Sequence, residues 1–261
     1  MTATSAEARA LARLYDVDLL EDPGDADLYL ALAGRTGGPI LELGVGTGRL
    51  AEPLVRAGFD VTGVDLDPAM LERAQRRLDA LDGPSAGHVE LVEADLLTLD
   101  LPTAGSFRLA FIGLNSLFLL ATRDRQREAI ARLAGHLGSG GLAVVDIWLP
   151  DTDDLARFDG RLILEYVRTD PETGATVTKT ASARHDAPLA IVDLVSIFEE
   201  GHPGEAPVRW TRRDALRLVG AEELRVLAVD SGLVVEELAG GYDLEPLGPA
   251  SERAVLVARK P

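Results

Sequence analysis

The chain has 261 residues, with 26 basic and 43 acidic side chains and a formal charge of −17. That excess of negative charge argues against a phosphate-backbone binder and against attraction to an anionic membrane surface. The absence of cysteine excludes disulfides, thiolate metal sites and cysteine nucleophiles.

No apolar run approaches the ~20 residues of a membrane-spanning helix. The opening stretch MTATSAEARALARLYD has neither the basic start nor the apolar core of an export signal. A soluble, cytoplasmic protein is expected, without membrane or nucleic-acid partners. In chain order, residues 1–38 read as an N-terminal helical cap. From Pro39 to Ile147, short apolar runs alternate with helical stretches. The runs are ILEL (40–43), VTGVD (61–65), VELVE (89–93), LAFIG (109–113) and LAVVDI (142–147). Residues 49–57, 68–80 and 123–137 read as helices. In the last of these, Ile130, Leu133, Ala134 and Leu137 share one face, while Arg123, Arg125 and Arg127 stay in water. Such alternation predicts a parallel sheet covered on both faces and doubly wound by right-handed crossovers.

After Trp148 the rhythm changes. LILEYV, ATVTKTASA, LAIVDLVSIFEE and VRWTRRDALRLV are separated by the turn signals DPETG, HDAP and GHPGEAP. This predicts an antiparallel insert over 151–219. Helix–strand order then resumes, with AEELRVLAVDSG as a helix ending at Gly232 and LVVEEL and AVLVARK as strands. The core domain is therefore expected from 39–150 joined to 220–261.

The informative stretch is ILELGVGTGRLAEPLVRAGFDVTGVDLDPAMLERA. A buried strand ends at Glu42 and Leu43, and Gly44, Gly46 and Gly48 form a tight turn that opens a helix at Arg49. Glycines let the backbone turn sharply and let a ligand approach it closely. The turn lies at the carboxyl end of the first strand, where doubly wound sheets bind ligands. One strand later, Asp65 ends VTGVD, placed to accept hydrogen bonds from two ribose hydroxyls. The dinucleotide fingerprint G-x-G-x-x-G is met only at Gly44 and Gly46, because Arg49 occupies its third glycine position. The pattern is instead E-x-G-x-G-x-G.

That pattern resembles the first motif of class I S-adenosylmethionine-dependent methyltransferases. The resemblance covers 39–148 well and 220–260 by the closing strand pair. It implies a seven-stranded Rossmann-like α/β sheet with an inserted antiparallel β lid, and S-adenosylmethionine as cofactor, leaving S-adenosylhomocysteine. It also implies a cofactor site made of Glu42, Gly44, Gly46, Gly48, Arg49, Asp65, Leu66, Met70, Ala94, Asp95, Leu96 and Leu114. Asp65 is similar to the family's ribose carboxylate, and Met70 to the apolar side chain beside the adenine. Asp95 is similar to the residue that binds the adenine amino group. The loop after the fourth strand faces the transferring methyl in this family, which makes Asn115 and Ser116 candidates for cofactor or acceptor contacts. Tyr15 resembles the tyrosine that folds over the cofactor. The insert resembles the substrate lid of bacterial sugar and natural-product methyltransferases, above all those that methylate amino-sugar nitrogens. LGSGGLAVVDIW resembles the turn and fifth strand, and VVDIWLPDTDDLARF partly matches the run after it.

An acidic pocket suits the cation and hydroxyls of this cofactor, and a helix start at Gly48–Arg49 suits its carboxylate. Each candidate also has a plain structural role. Tyr15 fits a helix-face core aromatic, and Asn115 a loop cap. Of the four histidines, His88 is expected exposed and His136 as a helix C-terminal cation. His185 and His202 flank turns; His185 is a candidate general base, needed for a hydroxyl acceptor but not for an amine. Asp151, Asp153 and Asp154 read as a helix N-cap. Tyr166, Arg168, Trp210 and Arg212 are candidates for a lid pocket, with core packing and surface pairing as their ordinary roles. No spacing suggests a metal site. The expected activity is N- or O-methylation of a small-molecule acceptor in bacterial specialised metabolism. Two alternatives stay open: a cofactor-binding enzyme that cyclises or eliminates instead, and a protein methyltransferase. The insert is also a candidate homodimer surface.

Overall fold

The computed structural model describes residues 5–81 and 87–261. The chain forms α1 (Ala6–Asp18), α2 (Ala26–Thr36), β1 (Ile40–Leu43), α3 (Ala51–Arg56), β2 (Val61–Asp65), α4 (Pro68–Asp79) and β3 (Val89–Glu93). Next come β4 (Phe107–Ile112), a 3₁₀ turn (Ser116–Leu119), α5 (Arg123–His136), β5 (Leu137–Trp148) and α6 (Thr152–Arg157). The strands β6 (Asp159–Thr169), β7 (Thr176–Asp186), β8 (Ile191–Gly201) and β9 (Val208–Arg217) follow. The chain closes with α7 (Ala221–Asp230), β10 (Val234–Ala239) and β11 (Arg253–Arg259). Two compact units result: residues up to Asp22 with Pro150–Leu218, and Pro23–Leu149 with Val219–Pro261.

The larger unit carries a seven-stranded sheet in the order β10-β11-β5-β4-β1-β2-β3. From β5 to β3 all neighbours are parallel, whereas β11 runs against both β5 and β10. The chain steps outward from β1 to β3, then returns past β1 to β4. That reversal opens a crevice at the carboxyl ends of β1 and β4, where such sheets take ligands. β1 is buried at all four positions, as a central parallel strand covered on both faces must be. Ile40, Leu54, Phe111, Val144, Val255 and Tyr29 belong to one continuous core. Tyr29 also stacks obliquely on Phe111, with ring centroids 4.3 Å apart.

Local signals set the helix starts. Asp67 caps α4 by accepting from the Ala69 N–H at 2.8 Å, and Pro68 occupies its first turn. Thr122 caps α5 in the same way. Several boundaries differ from expectation. α3 begins at Ala51 rather than at Arg49, which lies in the turn before it. β5 begins at Leu137 rather than 142, because Leu137 pairs with Phe107 across a register shift, and β4 accordingly begins at Phe107 rather than 109.

The smaller unit holds α1, α6 and an antiparallel sheet in the order β6-β7-β8-β9. Leu14 and Val17 of α1 pack with Val177 and Phe198, flanked by Leu11, Tyr166 and Trp210. Arg13 pairs with Asp170 and Glu200. Asp18 accepts from the Tyr166 hydroxyl and from Lys179 Nζ, and Arg168 donates to the carbonyls of Val17 and Asp18. The first 38 residues are therefore divided: α1 belongs with the β6–β9 sheet and α2 with the seven-stranded core. Trp210 takes its plain role, packed beside α1 with its indole N–H on Glu200. Asp151 and Asp154 form a reciprocal capping box on α6.

Candidate active site

The loop leaving β1 needs glycine. Gly44, Gly46 and Gly48 have φ of 82°, 55° and 78°, a region that other residues enter with strain. A Cβ on Gly48 would also stand 3.2 Å from that of Ala74 in α4. A Cβ on Gly44 would lie 3.4 Å from Ser116 Oγ, so the loop faces the turn that follows β4. Asp65, at the end of β2, locks the loop from the other side. Its Oδ2 accepts from the Gly46 N–H at 2.8 Å, and its Oδ1 from the Asp67 N–H at 2.9 Å. Burial raises the Asp65 pKa, and these N–H bonds oppose that rise. A carboxylate offers about four lone-pair positions, so two backbone donors leave capacity for two more.

Behind the loop lies a second carboxylate. Glu42 is 4% exposed, and its Oε2 is buried without a hydrogen-bond partner among the described residues. Burial pushes its pKa well above the usual carboxylate range, with Arg49 pulling the other way and Asp25 and Asp65 adding to the rise. Arg49 forks onto Asp25 with both contacts at 2.6 Å, and Asp25, just before α2, is fully buried. The guanidinium at the position where a dinucleotide fingerprint has glycine thus ties α2 to the loop.

The turn after β4 is strained. Leu114 and Asn115 have φ of 47° and 64°, two successive non-glycine residues in the left-handed region. Such residues cost about 1–3 kcal/mol each and persist only where their surroundings hold them. Asn115 Oδ1 accepts from the Trp148 N–H, its N–H donates to the Asp146 carbonyl at 3.3 Å, and its own carbonyl accepts from Phe118 at 2.8 Å. The Leu114 N–H donates to Asp146 Oδ1 at 2.9 Å. Asp146, in β5, is fully buried and accepts three further bonds. Tyr29 reaches Oδ1 at 2.6 Å, while Tyr242 and Arg253 reach Oδ2 at 3.1 and 3.0 Å. Burial raises the Asp146 pKa despite these donors.

The remaining cofactor candidates sit at neighbouring strand ends. Leu66, just past β2, is 66% exposed, and Met70 is half-buried in the first turn of α4. The Ala94 N–H donates to the Asp65 carbonyl, binding the ends of β2 and β3. Asp95 turns its own loop by accepting from the Leu97 N–H at 2.9 Å, with Leu96 half-buried beside it. Glu42, the glycine loop, Asp65 and these residues all belong to the larger unit, along β1–β4. Tyr15 and His185 belong to the smaller unit: Tyr15 on α1, and His185 near the end of β7 with its N–H on the Phe158 carbonyl. His88 and His202 are exposed. His136 lies in the last turn of α5 as expected and is buried, with Nδ1 on Arg132 O and Nε2 facing the Leu101 N–H.

Sequence reasoning missed Asp25, Tyr29, Asp146, Tyr242 and Arg253. For Asp146 a signal existed, a lone carboxylate inside the apolar run LAVVDIW. Nothing in the local sequence marks Tyr242 or Arg253, which reach Asp146 from distant segments. No group of three or more metal-ligating side chains occurs among the described residues.

Residues 40–141 match the methyltransferase domain family. A putative methyltransferase from a Geobacillus species is 33% identical over 260 residues, covering 96% of this chain and 98% of that protein. Cypemycin N-terminal methyltransferase from a Streptomyces species is 26% identical over 230 residues, covering 88% and 84%. The dTDP-3-amino-3,4,6-trideoxy-α-D-glucopyranose N,N-dimethyltransferase of Streptomyces venezuelae is 27% identical over 203 residues, covering 77% and 78%.

Proposed function

The chain belongs to the S-adenosylmethionine-dependent methyltransferases, and from that premise we propose that it methylates an amine nitrogen on a small bacterial metabolite. The observation that carries the cofactor half is the locked glycine loop with an unpartnered buried oxygen on Glu42 beside it. The residues fit this cofactor. The loop presents backbone with no Cβ in the way, Asp65 keeps acceptor capacity for the ribose hydroxyls, and Glu42 Oε2 offers an acceptor for an ammonium group. Leu66, Met70, Ala94, Asp95 and Leu96 form the adenine side of the proposed site, and Leu114 the side of the reacting methyl. When bound, the cofactor supplies an electrophilic methyl on a sulfonium, whose loss leaves neutral S-adenosylhomocysteine.

What remains for the protein is alignment, and holding reactants in line supplies about 7–11 kcal/mol in well-oriented systems. The glycine loop and Asp65 set one end of the line, and the Leu114–Ser116 turn sets its side. An amine acceptor attacks through its own lone pair and then gives up a proton to water, so it needs no general base. That suits a larger unit whose only described histidine outside an exposed position, His136, is occupied by backbone. One relative is named for N,N-dimethylation of an amino sugar, and another as an N-terminal methyltransferase of cypemycin. The net charge of −17 supports an acceptor other than nucleic acid.

The test is incubation with S-adenosylmethionine and either dTDP-3-amino-3,4,6-trideoxyglucose or a short peptide with a free N-terminus, read by mass spectrometry. Methyl gain on the sugar supports the proposal, and gain on the peptide alone replaces it with a peptide acceptor. Product formation without methyl gain would instead mark a cyclising or eliminating enzyme. We also propose that β6 is the edge of a homodimer contact, because Leu162, Ile163, Leu164 and Val167 on it are all exposed. Light scattering on the purified chain tests this: a dimer is expected, and a monomer at micromolar concentration contradicts it. Among the described residues no helix is long and apolar enough to cross a membrane; a cytoplasmic location is part of the proposal.

A further inference from the structure

We infer that Asp146 is a positioning residue for methyl transfer, acting through the strained Leu114–Asn115 turn. The inference rests on the methyltransferase reading, and its physical basis is separate from the glycine loop.

Two adjacent left-handed residues do not hold themselves. Leu114 and Asn115 stay at φ 47° and 64° because β5 grips both of their N–H groups. Asp146 Oδ1 takes the Leu114 N–H, and the Asp146 carbonyl takes that of Asn115. Gly113 just before the turn permits this approach. A Cβ there would stand 3.3 Å from the Tyr29 hydroxyl and 3.6 Å from Asp146 Oδ1. The carboxylate is itself fixed. Its Oδ1 is shared by Tyr29 from α2 and Leu114, and its Oδ2 by Tyr242 and by Arg253 at the start of β11. One buried side chain therefore ties α2, the end of β4, β5 and the closing segment of the sheet to one point. The turn that it sets continues into Ser116, which meets Gly44 of the glycine loop. Displacing Leu114–Ser116 would move the wall that the loop faces without touching Asp65 or Glu42. Four donors converge on this carboxylate, and one of them is the N–H of the strained turn, so the other three fix the acceptor that holds the turn.

The test combines hydrogen exchange of the 113–120 segment, calorimetry with S-adenosylhomocysteine, and turnover on the amine acceptor. The variants are Asp146→Asn and Tyr29→Phe, with Leu133→Ala, buried in α5 and without a bond to Asp146, as a destabilised control. Asparagine at 146 conserves volume but has one acceptor oxygen for two pairs of donors, so its amide nitrogen faces either Leu114 and Tyr29 or Tyr242 and Arg253, and the charge-assisted grip on the turn is weakened. Exchange at Leu114 should rise about tenfold or more. The dissociation constant for S-adenosylhomocysteine should change less than about fivefold. Turnover should fall about a hundredfold at unchanged acceptor KM, the scale of a ~1 Å misplacement. Leu133→Ala should lower the melting temperature and leave turnover per folded molecule unchanged. If Asp146→Asn does not fold, Tyr29→Phe carries the test, with faster exchange at Leu114 and a severalfold loss in turnover. Unchanged exchange, or a turnover loss matched by the Leu133 control, overturns the assignment. Failure of the wild type to bind S-adenosylhomocysteine refutes the cofactor reading instead, and the exchange data still decide whether Asp146 holds the turn.

Discussion

Asp65 has two jobs in this account, and replacing it with asparagine separates them. In the protein alone its carboxylate accepts the Gly46 and Asp67 N–H groups at 2.8 and 2.9 Å. Asparagine keeps one oxygen for one of them and turns an amide donor towards the other. Losing one bond to a charged acceptor and stranding a partly buried N–H costs about 2–3 kcal/mol. For a chain of this length that is a drop of roughly 5–10 °C in melting temperature. The second job is the ribose. If the remaining lone pairs take two hydroxyls, the variant keeps one such bond and loses the charge from the other. The loss is about 1.5–3 kcal/mol, or roughly 10- to 150-fold in affinity. Titration calorimetry with S-adenosylhomocysteine, run below both melting temperatures, reads the second effect free of the first. A destabilised variant that binds within about threefold of the wild type would refute the reasoning. Asp65 would then be a loop staple only, and the ribose would be held elsewhere.

Three further outcomes follow from the buried charges. The folded-state pKa of Glu42 lies above its ordinary value of 4.5 because of burial. Its favourable contribution is therefore complete below that value and is lost as pH climbs through the raised one. Glu42→Gln removes this loss, so its melting temperature relative to wild type should climb as pH rises above 4.5 towards the raised value; a difference independent of pH would contradict the burial argument. Asp25→Ala withdraws the buried fork partner of Arg49 and should cost about 3–5 kcal/mol by thermal or denaturant unfolding, with the Asp25→Leu/Arg49→Leu double variant losing less. In the smaller unit, Arg13→Ala removes the pairing to Asp170 and Glu200. It should cost about 1–3 kcal/mol and speed proteolysis near Asp22, and unchanged cleavage would show that apolar packing alone holds α1.

Much of this architecture is legible in the sequence, because the rules involved are local. β1, β2 and β3 fall on the runs at 40–43, 61–65 and 89–93; central β1 is apolar and buried almost throughout, whereas edge strand β3 alternates apolar residues with the exposed Glu90 and Glu93. Asp67 and Thr122 mark the starts of α4 and α5 because their side chains accept from N–H groups two or three residues on; α2, α3 and α7 have no such cap. The four inserted strands are bracketed by their turn residues in the same way. The glycine loop is legible for a related reason: positive φ leaves few other residue types. What the sequence hides is pairing over distance. Asp146 meets Tyr29, Tyr242 and Arg253 across separations of about a hundred residues, and no periodicity encodes which donors converge on one carboxylate. Residues 1–38 read as one helical cap. Only the partners of Arg13 and Asp18, far along the chain on β7 and β8 and in the turn after β6, reveal that α1 belongs with the insert. Arg49 illustrates the same limit: its position in the motif is plain, and its partner Asp25 is not.

The most direct test of the central claim is a single turnover measurement with methyl-labelled S-adenosylmethionine and dTDP-3-amino-3,4,6-trideoxyglucose. The expected result is label on the sugar nitrogen, with one S-adenosylhomocysteine formed for each methyl transferred. Cofactor bound but left intact while the acceptor changes, or label found on oxygen or carbon, would contradict it.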